Sequence, residues 1–329
     1  MLRVGIVGCG NIASVLASTM EKMQDEVRIE AVASRSLEKA QEFAGKYGVQ
    51  KAYGSYAELY RDSDVDLVYV AVPHSHHHAV IMEALEHGKN ILSEKAFTVN
   101  EAEAREVFRK AEEKGCFVGE AIWTRYMPSR FMIREAIDAG KIGRVTSISA
   151  NLGYKISHKE RIQDPRLAGG ALLDIGIYPL NFALMAMGDD TITCMAGLCV
   201  KGETGVDMSD NMTLTFQSGV TASISADAEA VTDRKGWIYG TEGSIEVINV
   251  NNPERINIYS ADRSPVLRES LEITHEISGY EYEIRSASAA IRAGKKEPDE
   301  MPWSETLRVM RLMDTFRKVW GIKLGSEIE

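Results

Sequence analysis

Residues 2–13 read Leu2-Arg3-Val4-Gly5-Ile6-Val7-Gly8-Cys9-Gly10-Asn11-Ile12-Ala13. A short aliphatic run ends on two glycines, and an apolar pattern at helical spacing follows. A strand that turns through Gly8-Cys9-Gly10 into a helix is the fingerprint of a dinucleotide site, here with Ala as the third small residue. Gly8 permits the tight turn, and Gly10 puts no side chain in the way of a pyrophosphate. Ala13 lets the helix pack on the sheet, and Asn11 and Ile12 open a helix whose N-terminus faces the phosphates.

The residues that follow continue the alternation to about position 120. Strands are expected at 2–7, 28–33, 66–72, 90–92 and 116–119, and helices at 12–22, 37–46, 76–86 and 100–113. Strands apolar on both sides, joined by helices, describe a parallel sheet covered on both faces. The second strand selects the cofactor. An NAD enzyme usually closes it with Asp or Glu for the ribose 2′-hydroxyl. Here it ends in Ser34-Arg35-Ser36, and Glu30 falls too early to sit at the tip. Arg35 offers charge-assisted bonds to a 2′-phosphate and Ser34 a hydroxyl, so NADP is expected, with NAD possible.

Two more strand ends stand over the same cleft, since ligands of open parallel sheets sit beyond the strand C-termini. One runs Pro73-His74-Ser75-His76-His77-His78. Four histidines in five positions suggest a metal, and His74 and His78 have the spacing of helical zinc ligands. With no cysteine nearby and Glu83 the nearest following acid, a helix-start loop beside the cofactor is the expected reading, with no metal. The other end is Ser93-Glu94-Lys95-Ala96, where a lysine can place a cation beside a reacting hydroxyl.

After Ala121-Ile122-Trp123-Thr124-Arg125-Tyr126-Met127-Pro128 the pattern changes. A helix at 129–139 precedes many strand-like runs at 144–153, 191–200, 211–216, 220–226, 236–239 and 244–247, with further strands expected at 255–259 and 271–275. Ser218-Gly219 and Thr241-Glu242-Gly243 supply turns between consecutive runs. The fold class expected is an α/β Rossmann domain, a doubly wound parallel sheet, followed by an α+β domain with a large, mostly antiparallel open sheet. The boundary is drawn between a domain at 1–121 and one at 122–329, whose final helix, from helices at 282–293 and 305–318, packs back on the first. In Gly169-Gly170-Ala171-Leu172-Leu173-Asp174-Ile175-Gly176-Ile177-Tyr178-Pro179, Asp174 and Tyr178 share a face if the run is helical. The two glycines would open that helix with bare backbone against a ligand, and Pro179 should kink or split it near Tyr178.

Composition narrows the classes. With 44% hydrophobic and 26% charged residues the chain is ordinary globular protein rather than a disordered one. The net charge of −10, without a basic run, argues against nucleic acid. No stretch approaches the ~20 apolar residues of a membrane span. Four scattered cysteines and a strand beginning at residue 2 point to reduced thiols in the cytoplasm.

Together these pieces resemble the Gfo/Idh/MocA-type oxidoreductases. The fingerprint, Ser34-Arg35, Pro73 with His77, Glu94-Lys95, the Gly-Gly-Ala-Leu-Leu-Asp run and Gly240-Thr241-Glu242-Gly243 come in family order over residues 1 to about 245. The run Glu120-Ala121-Ile122-Trp123-Thr124-Arg125-Tyr126, with Tyr178, is similar to the trans-dihydrodiol dehydrogenase and D-xylose dehydrogenase branch. The resemblance implies hydride transfer between nicotinamide and a carbinol or carbonyl of a sugar or cyclic vicinal diol. It assigns Lys95 and Tyr178 as the catalytic pair, with Asp174 close by. A lysine ammonium at ~4 Å, at an effective dielectric of ~20, favours a phenolate by about 4 kcal/mol, roughly 3 pKa units before desolvation. Trp123 is expected in an apolar wall near the nicotinamide or substrate, and Arg125 on a cofactor or substrate oxygen. A homodimer or higher homo-oligomer through the second sheet is implied by the same resemblance. Where relatives carry Glu-Lys-Pro, this chain has Ala96. A cis bond before Ala costs ~2.5–4 kcal/mol, so a trans bond is expected. Two other readings share these motifs: a glycosidase using transient redox on bound NAD, and a non-catalytic NADP-binding sensor.

Overall fold

The aliphatic runs of the first half assemble as six parallel strands. The computed structural model describes residues 1–328. They are β1 (Leu2–Val7), β2 (Val27–Ala33), β3 (Lys51–Tyr53), β4 (Leu67–Val70), β5 (Asn90–Glu94) and β6 (Val118–Ala121). The order β3-β2-β1-β4-β5-β6 reverses direction at β1/β4. That switch is where a doubly wound sheet opens its ligand crevice. Val4, Ile6, Val68 and Val70 are wholly buried, as strands covered on both faces require.

The crossover helices start where their capping residues dictate. The side chains of Ser36, Ser55 and Asn100 accept the backbone N–H three residues on, opening helices Leu37–Tyr47, Tyr56–Arg61 and Glu101–Lys114. Gly48 and Gly115, both left-handed, close two of them. Strand β3 and helix Tyr56–Arg61 were not anticipated. Strand β3 is three half-buried residues at the sheet edge, too short to give an alternating signal.

The chain divides into two compact units, residues 1–126 with 276–311 and residues 127–275 with 312–329. This differs from one cut at 121/122, because helix Glu281–Arg292 returns to the first unit. Ile284, Ala287 and Ala290 on its apolar stripe join the core of β1 and helix Asn11–Met20. Helix Trp303–Trp320 contributes its first turns to the first unit and its last to the second.

The second unit holds eight strands: β7 (Val145–Gly153), β8 (Ile192–Lys201), β9 (Asp207–Phe216), β10 (Thr221–Asp227), β11 (Gly236–Gly240), β12 (Gly243–Ile248), β13 (Arg255–Ser260) and β14 (Leu267–Glu272). Their order is β14-β13-β12-β11-β7-β10-β9-β8, and every pair is antiparallel except β7 with β10. One face alternates cleanly inward through Ile148, Ala150, Met212, Leu214, Ala222, Ile224, Ile238 and Ile245, all buried. Helix Ile177–Met187 packs against β7, β10 and β11.

The run Pro165–Met187 is long and apolar enough by length and composition to span a bilayer, which corrects the expectation that no stretch came near. In its most apolar window 83% is buried inside the unit, as befits a core helix.

Candidate functional site

At the first unit's strand ends the fingerprint takes the form its residues require. Gly8 has φ +100°, and a Cβ there would stand 2.5 Å from the Ala71 carbonyl oxygen. No other residue fits that turn. Gly10, extended and exposed, caps helix Asn11–Met20, and the space where its Cβ would lie is open. Asn11 is exposed, Ile12 half-buried, and Ala13 fully buried. No acidic residue stands in that first turn. Ser34 accepts the Ser36 N–H at 3.4 Å. Arg35, exposed at the tip of β2, makes no ion pair or hydrogen bond among the described residues, and Tyr56 and His76 both feel its charge.

The loop after β4 uses its histidines in separate ways. Pro73 is exposed and caps helix His74–Glu86. His74 Nε2 lies 3.1 Å from the Lys95 carbonyl oxygen. His77 is wholly buried, with Nε2 2.8 Å from Val72 O and Nδ1 3.0 Å from Ala96 O. Burial holds its pKa below the usual imidazole value, against the pull of those carbonyls. His77 therefore braces two strand-end loops from within. His78 pairs with Glu106 at 2.9 Å. Among the described residues, no group of three or more His, Cys, Asp or Glu is placed to hold a metal.

The Lys95–Ala96 bond is cis, which corrects the expected trans bond. The carbonyls of 95 and 96 are held by His74 and His77, and the Phe97 N–H donates to Glu120 Oε1 at 3.1 Å. These three contacts hold the backbone of residues 95–97. Lys95 itself is half-buried. Glu94 turns inward, where it accepts the Tyr69 hydroxyl.

Behind this turn Trp123 stacks on Tyr280, ring centroids 4.2 Å apart and 16° from parallel. The Trp123 Nε1 and the Thr124 hydroxyl are buried without a hydrogen-bond partner. Buried polar atoms are normally satisfied, so two orphans beside a flat aromatic wall suit a polar ring-bearing group. Arg125, expected on cofactor or substrate oxygen, is buried and paired with Glu305 at 2.9 Å. The open Gly10, the uncapped helix start, the unpaired Arg35 and these orphan atoms all fit a phosphorylated dinucleotide.

In the second unit the helical run around Asp174 is not uniform. Residues Leu172–Gly176 form a π-turn, in which Ile177 N–H reaches back to Leu172 O, before helix Ile177–Met187 begins. The break expected at Pro179 is thus a widened turn just upstream. Asp174 is 7% exposed and accepts Arg161 Nη1 at 2.6 Å. Tyr178, half-buried, stands in the first turn of the next helix. Gly169 and Gly170 do not bare the backbone to a ligand. A Cβ on Gly169 would lie 2.4 Å from Ile162 O, and one on Gly170, at φ +109°, 2.4 Å from Asp207 Oδ1. Asp207 in turn accepts the Leu172 N–H at 2.6 Å and so anchors the start of the turn.

Sequence reasoning passed over three residues here. Arg161, 13 positions before Asp174, carries no local signal of that pairing. Glu120 and Asp207 were not weighed as site residues, although an acid inside a short apolar strand must find a partner when buried.

Comparison with known proteins agrees with this geometry. Residues 2–121 match the Gfo/Idh/MocA oxidoreductase family model with an NAD-binding Rossmann fold. Residues 132–246 match the Gfo/Idh/MocA C-terminal domain. The chain is 33% identical over 330 residues to trans-1,2-dihydrobenzene-1,2-diol dehydrogenase of Mus musculus, covering 99% of both. It is 33% identical over 368 residues to D-xylose 1-dehydrogenase (NADP(+)) of Hypocrea jecorina, covering 98% of this chain and 92% of that one. Among solved structures, the 3-ketoreductase KijD10 of Actinomadura kijaniata, in complex with NADP and TDP-benzene, superposes with a TM-score of 0.84 at 27% identity, covering 96% and 97%.

Proposed function

Because the chain belongs to the Gfo/Idh/MocA oxidoreductase family, we propose that it is an NADP-dependent dehydrogenase of CH–OH groups on sugars or cyclic vicinal diols. One observation carries the cofactor reading: Arg35, an unpaired exposed cation at the end of β2, beside the fingerprint turn. Gly8, Gly10, Asn11, Ile12 and Ala13 would hold the pyrophosphate, Ser34 and Arg35 the 2′-phosphate, and Trp123 with the loop at Pro73 and His74 the nicotinamide end. Bound NADP supplies the uptake or release of a hydride.

The chain's own residues handle the proton. Tyr178 removes it from the substrate hydroxyl in oxidation and returns it in reduction. An unassisted phenol, with a pKa of about 10, is a poor base near neutrality. The Lys95 ammonium favours the phenolate, and a general base so tuned contributes ~10²–10⁴ in rate. Asp174, steadied by Arg161, receives a substrate hydroxyl or orients Lys95. The support for these roles is the family order of the motifs and the anchoring of each segment within its own unit. The test follows reduced-nicotinamide absorbance with NADP+ and NAD+ against a panel of aldoses and vicinal diols. Turnover with at least one is expected, and none with any polyol or carbonyl partner refutes the reading.

The active form we propose is a homodimer in the cytoplasm. The outward face of the second sheet, carrying Ser149, Asn211, Thr213 and Ser223 with Leu198 80% exposed at its edge, suits a second copy. Light scattering that returns a monomer mass would sink this.

A further inference from the structure

We propose that Glu120 is a positioning residue for Lys95, gripping the backbone on which that lysine stands. The proposal rests on the reading of Lys95 as catalytic. Glu120 lies in β6, paired with Ser93 of β5, so its side chain rises beside the strand that delivers Glu94 and Lys95. It is 1% exposed, yet both carboxylate oxygens are occupied. Oε1 accepts the Phe97 N–H at 3.1 Å and Oε2 accepts the Thr306 hydroxyl at 2.9 Å. The Tyr126 hydroxyl donates to the Glu120 carbonyl at 2.7 Å and fixes the strand itself. One side chain thus ties the 95–97 turn to the start of helix Trp303–Trp320. His74 and His77 hold the carbonyls of that turn, while Glu120 holds its N–H.

The groups facing this carboxylate are the cations Lys95 and Arg125, the latter neutralised by Glu305. Around the adjoining Tyr126 stand Glu283 and Glu300. Burial pushes the Glu120 acid up to about 7, opposed by Thr306, Phe97 N–H, Arg125 and Lys95. Above that pH the carboxylate accepts two hydrogen bonds. Below it, one oxygen carries a proton, and the grip on the Phe97 N–H or on Thr306 weakens. Protection of the Phe97 amide should therefore fall toward acid with a midpoint near neutrality, independently of the acid limb that Tyr178 as base gives the rate.

The test compares wild type, Glu120→Gln and Glu120→Ala. Glutamine keeps an acceptor for Phe97 and a polar partner for Thr306 but cannot titrate. Three readouts are taken: kcat on an active substrate of the aldose and diol panel, the Kd for NADP+, and the protection of the Phe97 amide from hydrogen exchange as a function of pH without substrate. Glu120→Gln should keep the protected amide and lose the pH dependence of that protection. Glu120→Ala should lose amide protection and at least about tenfold in kcat, as a displaced catalytic group does, with the Kd for NADP+ held within about threefold. Wild-type pH dependence of the protection in Glu120→Gln, or full protection and kcat in Glu120→Ala, overturns the proposal. Lys95→Met, run in parallel, separates the two claims. If it keeps the wild-type rate, the Lys95 assignment falls, while the exchange data still report whether Glu120 holds the turn.

Discussion

Replacing Arg35 by Ala should convert cofactor preference without touching the fold. The side chain is exposed and makes no internal bond, so its loss should leave folding stability within about ±0.5 kcal/mol. Its charge-assisted bonds to a 2′-phosphate are worth ~1.5–3 kcal/mol. At 1.36 kcal/mol per decade, kcat/KM for NADP+ should drop roughly 10- to 150-fold. NAD+ lacks that phosphate, so its kcat/KM should hold or rise slightly. Because the site is exposed, the effect should shrink with salt, and both cofactors belong at one fixed ionic strength near 0.15 M. Initial rates with each cofactor, together with a Tm for each protein, read all three quantities. An NADP+ value within twofold of wild type, or an equal fall for both cofactors, would refute the assignment of Arg35.

Tyr178→Phe should keep the Kd for NADP+, measured by fluorescence titration, and lose ~10²–10⁴ in kcat; a wild-type rate removes Tyr178 from proton transfer. Gly170→Ala forces a left-handed φ on a side chain and drives its Cβ to 2.4 Å from Asp207 Oδ1. It should cost ~1–3 kcal/mol, or roughly 2–4 °C of Tm per kcal/mol by calorimetry, and an unchanged Tm contradicts the packing described. Burial, and then the charge of Asp207, holds the Asp210 acid well above the usual carboxylate range. The folded chain therefore keeps a proton that the unfolded chain releases above about pH 4, and that stability is lost as pH rises toward the folded value. Asp210→Asn stays neutral throughout, so its stability relative to wild type should climb between pH 5 and 7 by up to about 1.4 kcal/mol per unit. An unchanged difference between the two proteins at pH 5 and 7 would show that folding does not raise the Asp210 pKa.

The first unit was legible because strand and turn chemistry are local. Val4 and Ile6 announce a buried strand, Gly8 a turn that only glycine makes, and Ser36, Ser55 and Asn100 the helix starts. The Rossmann reading needed nothing further. The antiparallel sheet was legible from alternation, but its ends were not. Strand β9 begins at Asp207 rather than 211, because two acids there are buried, and polarity alone reads as loop. Long-range ties left no trace in the order of residues. The brace of His77 on Ala96, the hold of Asp207 on Leu172, 35 positions earlier, and the Glu120–Thr306 bond, 186 positions apart, exist only once the chain is folded. The contacts of His74, His77 and Glu120 around residues 95–97 are equally invisible there, and residue preference alone pointed to a trans bond at Ala96.

The π-turn at Leu172–Gly176 amounts to one surplus residue spliced into a helix. Each residue of an ordinary helix advances its successor by about 100° of azimuth. Were that turn to tighten to regular pitch with its surplus residue kept, every later side chain, Tyr178 first, would swing by about that angle. The phase between acid and phenol is thus set by an insertion rather than by either residue's identity. Substituting either residue leaves that phase as it is, and only the pitch of the turn that joins them changes it.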